Sequence, residues 1–138
     1  MRMLTEQELI DSPESDYMNE KQRAFFKNLL ETQVDEILAN IDSVRNELQE
    51  NQHAADELDV AHGQEDIRTK LRLIDRQTKL LAKLREALQR IDEDEFGYCE
   101  ATGEPIGIKR LLARPTATLC IEEKIRQEQQ EKNFQQGR

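Results

Sequence analysis

Apolar residues in the first half of the chain recur with a helical period, and from Val34 onward that period tightens into a seam. Phe26, Leu30, Val34, Ile37, Ile41, Val44 and Leu48 follow one another, and after Val34 the steps are 3, 4, 3 and 4. Such alternation is the repeat of a coiled coil, whereas a helix lying on a globular core carries a broader apolar face. After a polar interruption the pattern resumes at Ile67, Leu71, Ile74, Thr78, Leu81, Leu84, Leu88 and Ile91. Two such helices joined by a short polar link fold back most simply as an antiparallel hairpin. At 1.5 Å per residue, an arm of about 30 residues projects roughly 45 Å. A hairpin of that length is mostly surface, which makes it a probe or a spacer.

Local signals place the other elements. Thr5-Glu6-Gln7-Glu8 has capping-box spacing and predicts a short helix to Ile10, broken around Pro13 in "DSPES". Asn19 with Gln22 is a second cap that opens the long helix. Past the arm, the apolar set Phe96, Tyr98, Ile106, Ile108, Leu111, Leu112 and Leu119 predicts a small globular part. Ile121 and Ile125 then begin a last amphipathic helix, and Glu122 and Glu123 suit the positive end of its dipole. The expected fold is mainly α. Residues 1–17 pack on the globular part, 18–93 form a long antiparallel coiled-coil hairpin with an acidic tip at 50–66, 94–119 form the globular base, and 120–138 form a C-terminal helix.

Composition agrees with a slender molecule. Of 138 residues, 36% are hydrophobic and 36% charged, and there is no Trp; with a mean hydropathy of −0.86, one large core is not expected. The N-terminus lacks a signal-peptide core, and no span of about 18 apolar residues occurs, so a cytoplasmic location away from membranes is expected. The two cysteines are then thiols by default.

The net charge of −9 conceals an asymmetry, because residues 1–66 carry −12 and residues 67–138 carry +3. Within 67–91, eight basic residues face two acids. Overall acidity argues against sequence-independent duplex binding, which rests on neutralising phosphates. A local basic face on an acidic protein suits docking onto another protein or holding a small anion.

The link between the arms, "ENQHAADELDVAHGQED" over 50–66, has six acids, no Lys or Arg, and both histidines of the chain. Asp56 or Asp59 can cap the returning helix, and Gly63 is a potential breaker. A metal site from His53, His62 and an Asp has nothing to fix its geometry. Carboxylates clustered at the end of a long arm suit a target with exposed cations or a bound Mg²⁺.

The segment 97–123, "GYCEATGEPIGIKRLLARPTATLCIEE", reads like a zinc ribbon with half its ligands replaced. Cys99 and Thr102 occupy the ends of one C-x-x-C slot, and Cys120 and Glu123 occupy a second. A structural zinc site uses four ligands, usually thiolate or imidazole. Two thiolates, one carboxylate and a hydroxyl do not make such a set, so no metal is expected. The apolar residues around Phe96 hold the base instead, with Glu123 bonded to Thr102 or paired with a nearby Lys or Arg.

These motifs carry a resemblance to the DksA/TraR family of bacterial transcription factors. The family signature C-x-x-C-x3-I-x3-R-x4-P-x4-C-x-x-C stands here as Cys99, Thr102, Ile106, Arg110, Pro115, Cys120 and Glu123 with every spacing kept. "DELDVA" resembles the family's tip element D-x-x-D-x-A, giving Asp56, Asp59 and Ala61, and "YMNE" and "DEFGYCE" are similar as well. The loss of two cysteines resembles the zinc-independent second paralogue of the family found in some pseudomonads.

The resemblance implies a protein that binds RNA polymerase rather than promoter DNA, inserts its coiled coil into the secondary channel, and works with guanosine tetraphosphate (ppGpp) in the stringent response. Transcription of ribosomal RNA would fall and that of some amino-acid biosynthesis genes would rise. It implies Asp56, Asp59 and Ala61 as tip determinants and Arg72, Arg76 and Lys79 as the polymerase-docking side of the returning arm. Leu80, Lys83, Arg114 and Lys124 match the family positions of a nucleotide site completed by polymerase. A monomer with no stably bound cofactor is expected. Two other classes fit the hairpin: a transcript-cleavage factor resembling the Gre proteins, whose tip carboxylates hold a second Mg²⁺, and a coiled-coil adaptor unrelated to polymerase. An ordinary enzyme is not expected, because the sequence offers no nucleophile–base pair, phosphate loop or complete metal site.

Overall fold

The structure, a computed structural model, describes residues 2–54 and 60–136, with 51–54, 60–62 and 136 described by backbone alone. Helix α1 spans Glu6–Ile10, α2 Glu20–Ala54, α3 Val60–Asp92, α4 Ile108–Ala113 and α5 Ile121–Gln136, with a 3-10 turn at Glu14–Asp16. Among the described residues, extended pairing is limited to one isolated bridge between Tyr98 and Pro105. No helix of these residues is long and apolar enough to cross a membrane.

The helix starts follow from their caps. Thr5 Oγ1 accepts the Glu8 N–H at 3.2 Å and opens α1. Asn19 Oδ1 accepts the Gln22 N–H at 2.9 Å and opens α2. The Gln22 side chain turns back to accept the Met18 N–H at 2.8 Å, one residue earlier than in an ordinary capping box. That bond satisfies a polar side chain which is only 1% exposed.

Helices α2 and α3 pack as a hairpin, and their 35 and 33 residues correspond to an arm of roughly 50 Å at 1.5 Å per residue. On α2 the expected seam is present, with Phe26, Leu30, Ile41 and Val44 buried and Val34, Ile37 and Leu48 half-buried. On α3 the expected register is corrected. Leu71 is 53% exposed, and Thr78 is exposed with its hydroxyl donating to the Ile74 carbonyl at 2.7 Å. The seam instead runs through Ile67, Lys70, Ile74, Gln77, Leu81, Leu84, Leu88 and Ile91. Lys70 fits because its aliphatic stem lies in the seam while its ammonium reaches the edge. There Nζ sits 2.9 Å from Asp66 and 3.5 Å across the hairpin from Glu47.

The link expected over 50–66 is also shorter than its composition suggests. Helix α2 continues to Ala54 and α3 resumes at Val60, so Gly63 lies inside a helix. A single internal glycine costs only about 1 kcal/mol, which pairing of the two helices offsets.

At the root of the arm, Phe26, Leu30, Leu84, Ala87 and Ile91 share one cluster with Leu9, Met18, Phe96, Cys99, Ile106, Leu111 and Cys120. The Phe26 and Phe96 rings lie 5.4 Å apart and join arm to base. Helix α1 packs on α4, and the Tyr17 hydroxyl donates to the Gly97 carbonyl and accepts the Gly107 N–H at 2.9 Å. Gly97 has φ +90°, and a Cβ there would meet Met18 Sδ at 2.8 Å, so this close approach requires glycine. Helix α5 starts where expected, but its apolar face is not packed: Ile121 is 52% and Ile125 50% exposed. The face turned toward the base carries Glu123, Lys124 and Gln127 instead.

Candidate functional site

Three regions carry the candidate residues: the end of the arm, its outer ridge, and the junction of arm and base. Asp56 and Asp59 lie outside the described residues, and Ala61 belongs to the first turn of α3 with its backbone alone described. Arg72, Arg76 and Lys79 are exposed on α3. With Lys83 they are spaced 4, 3 and 4, which places them on one ridge of the helix. Lys79 Nζ pairs with Asp75 at 3.0 Å, a surface contact worth about 0–1 kcal/mol.

The junction holds a cavity of about 920 Å³. Leu80 and Lys83 enter it from α3, Arg114 from the end of α4, and Lys124 from the first turn of α5. The side chains of Lys83 and Arg114 make no hydrogen bond or ion pair with the described residues, and Lys124 Nζ is 3.8 Å from Glu128. Glu86, Glu93 and Glu100 line the concavity too, but the basic side chains outnumber them, and a net positive lining raises its potential for anions. Two further arginines line the same space but are held by protein acceptors. Arg110 Nε donates to the Leu119 carbonyl at 3.0 Å. Arg90 donates to Glu100 Oε1 at 2.7 Å and to the carbonyls of Tyr98 and Glu95 at 2.9 and 3.1 Å. The sequence singles out neither Arg90 nor Arg126; Arg90 binds chiefly backbone carbonyls, which leave no side-chain signature.

In the knuckle, Cys99 and Cys120 are buried free thiols. Burial pushes the Cys99 thiol up, but donation from the Thr102 hydroxyl and from the backbone N–H groups of Cys120, Thr102 and Ala101 outweighs it, leaving a pKa of about 6. The Thr102 hydroxyl also accepts the Glu104 N–H at 3.2 Å. Glu123, 7% exposed, points its carboxylate at its own helix. Arg126 Nη2 and Nε donate to it at 2.7 and 3.1 Å, and Gln127 Nε2 donates at 3.1 Å. Arg126, then Gln127, holds the Glu123 carboxyl below the usual carboxylate range. A tetrahedral zinc does not fit this set: two thiols are present, the hydroxyl is a poor ligand, and both carboxylate oxygens are engaged. Among the described residues, no group of three or more His, Cys, Asp or Glu is placed to hold a metal ion. Backbone bonds close the frame, including Cys99 N–H to Glu104, Gly103 N–H to Cys99 and Glu100 N–H to Thr118, each at 2.8 Å.

Comparison with known proteins agrees with both halves of this arrangement. Residues 22–91 match the N-terminal domain of the DnaK suppressor protein DksA, and residues 94–129 match the prokaryotic dksA/traR C4-type zinc finger. The chain is 42% identical over 122 residues to the RNA polymerase-binding transcription factor DksA of Caulobacter vibrioides, spanning 88% of this chain and 86% of that protein. It is 39% identical over 125 residues to the protein of the same name from Escherichia coli K12, spanning 90% and 83%. The structure of transcription factor DksA2 from Pseudomonas aeruginosa matches with a TM-score of 0.87 and 48% identity, over 93% of this chain and 99% of that one. Thr102 and Glu123 depart from the four cysteines that give the finger its description. With hairpin and knuckle both matched, the chain belongs to the DksA/TraR family.

Proposed function

We propose that this chain is a transcription regulator that binds RNA polymerase, passes its hairpin into the secondary channel, and acts together with guanosine tetraphosphate. Its relatives in Caulobacter and Escherichia are named RNA polymerase-binding transcription factors. The arm supplies reach, the ridge of Arg72, Arg76 and Lys79 docks on the polymerase rim, and the acidic tip around Asp56 and Asp59 acts near the polymerase active site. The protein carries out no reaction of its own, acts as a monomer, and touches promoter DNA only through polymerase. It lowers ribosomal RNA transcription, raises that of some amino-acid biosynthesis genes, and works without zinc.

The single observation that carries the proposal is the meeting of Leu80 and Lys83 from the arm with Arg114 and Lys124 from the base around one cavity. Clustered phosphates match three cations that lack strong protein partners, and each charge-assisted bond contributes about 1.5–3 kcal/mol. Leu80 is 41% exposed and offers an apolar edge for a nucleobase or sugar. The test is in vitro transcription from a ribosomal promoter, with and without the nucleotide, in the presence of a zinc chelator. Inhibition that deepens with the nucleotide and survives chelation is expected. Lack of binding to core polymerase would overturn the reading, and loss of inhibition on chelation would overturn its zinc-independent part.

A further inference from the structure

The nucleotide cavity is assembled from two bodies, and one half-buried side chain ties them together. Lys83 belongs to the arm, whereas Arg114 and Lys124 belong to the base, so their separation depends on the angle at which α3 meets the knuckle. Arg90 lies in the last turn of α3, and its side chain is only 16% exposed. Its guanidinium spans Glu100 Oε1 and the carbonyls of Tyr98 and Glu95, while its own carbonyl accepts the N–H groups of Glu95 and Phe96 at 2.8 and 3.1 Å. The bonds continue into the base. The Glu100 N–H donates to Thr118 at 2.8 Å, and Arg110 Nε holds the adjacent Leu119 carbonyl at 3.0 Å. Arg114 lies one turn beyond Arg110, and Lys124 lies one turn beyond Cys120. Hydrogen bonds joined through adjacent residues 118–120 therefore connect the arm to the segments that carry the other two cations.

We infer that Arg90 is a positioning residue for the nucleotide: it sets the arm–base angle at which Lys83, Arg114 and Lys124 address one ligand together. This rests on the nucleotide reading above. A planar fork can satisfy three acceptors at fixed angles, which a lysine ammonium on a flexible stem cannot. Arg90→Lys therefore keeps the charge in the cavity and removes the geometry.

The experiment titrates guanosine tetraphosphate in transcription by RNA polymerase holoenzyme with the full-length wild type, Arg90→Lys, Glu100→Gln and Lys83→Ala. If the competent arrangement is populated about one-tenth of the time in Arg90→Lys, the half-effect concentration rises about tenfold, and the full nucleotide effect returns at saturation. Glu100→Gln removes only the charged acceptor and shifts the half-effect concentration the same way, by less; should Arg90→Lys not fold, it decides the matter by the same measure. A weakened response in Lys83→Ala with unshifted curves for Arg90→Lys and Glu100→Gln overturns the role of Arg90 and leaves the cavity reading standing. A lowered plateau without a shift in Arg90→Lys also overturns it, because general damage to the fold behaves that way. An unaltered response in Lys83→Ala overturns the cavity reading and the role of Arg90 with it.

Discussion

Glu123 and Arg126 lie one helical turn apart, and the guanidinium grips the carboxylate through Nη2 at 2.7 Å and Nε at 3.1 Å. The position from which a fourth cysteine would face the metal is thus occupied by an ion pair directed along α5. Each carboxylate oxygen has a donor, which is the condition for a nearly buried charge to persist.

That pairing gives the protein an acid-sensitive contact with a defined sign. The folded carboxyl of Glu123 is held below its ordinary value, so its contribution to stability is fully present above about pH 4.3, the unfolded value, and is lost as pH falls through the lower folded one. Glu123→Gln is expected to melt below the wild type at neutral pH, with the gap closing as the pH drops beneath that range. A gap that stays constant from pH 7 to pH 3 in thermal melts would show that the charge contributes nothing.

Restoring the missing thiolates should restore the metal. The Thr102→Cys/Glu123→Cys variant presents two complete C-x-x-C slots. It is expected to purify with one zinc per chain, and free zinc at roughly 100-fold above its Kd should stabilise it by about 2.7 kcal/mol. The unaltered chain is expected to carry no stoichiometric zinc and to melt at the same temperature with and without a chelator. Metal analysis and paired melting curves decide, and one zinc per unaltered chain would contradict the fit argued from Thr102 and Glu123.

The α3 seam makes a prediction in which two leucines behave differently. Leu84, 1% exposed, faces α2, and Leu84→Ala is expected to cost about 2–5 kcal/mol. Leu71, 53% exposed, does not, and Leu71→Ala should stay within about 0.5 kcal/mol of the wild type. Gln77 Oε1 is buried without a hydrogen-bond partner among the described residues. An unsatisfied buried acceptor costs about 1–3 kcal/mol, so Gln77→Leu should raise stability. Denaturant unfolding measures all three, and equal losses from the two leucine changes would return the seam to the register through Leu71.

At the far end of the arm, binding and effect are expected to separate. Asp59→Asn should abolish regulation while leaving polymerase affinity within a few-fold, because the proposed docking area lies on the arm and the effect at its end. Parallel loss of affinity and regulation, measured by binding and transcription on one preparation, would remove the distinction between a docking ridge and an acting tip.

How far these features can be read without coordinates depends on the kind of contact. The hairpin is legible because apolar residues at Ile37, Ile41, Val44, Leu81, Leu84 and Ile91 keep a coiled-coil spacing. Its register on α3 is not, because Leu71 and Thr78 sit one position from Lys70 and Gln77 and continue the apolar count equally well. Lys70 is admitted by Glu47 on the other helix, a partner that no periodicity displays. The exposed face of α5 has the same origin: Ile121 and Ile125 are spaced for packing, but the base turns Glu123 inward instead. Cys99, Thr102, Cys120 and Glu123 are legible because each pair keeps the C-x-x-C spacing within one short segment. Leu80 and Lys124, brought to one cavity across 44 positions, could be named together only through the family resemblance.

The polar residues in the seam also have a mechanical consequence. Every fully buried α3 side chain in the described arm, from Leu81 to Ile91, lies in the half nearest the base, whereas Lys70 and Gln77 interrupt the apolar contacts farther out. Local opening takes less free energy where fewer apolar groups are buried. On α2, Ile41 and Val44 stay buried in that outer half, so the outer turns of α3 should open more readily than those of α2. The root, where both helices bury apolar side chains, should yield last, and the outer stretch of α3 first.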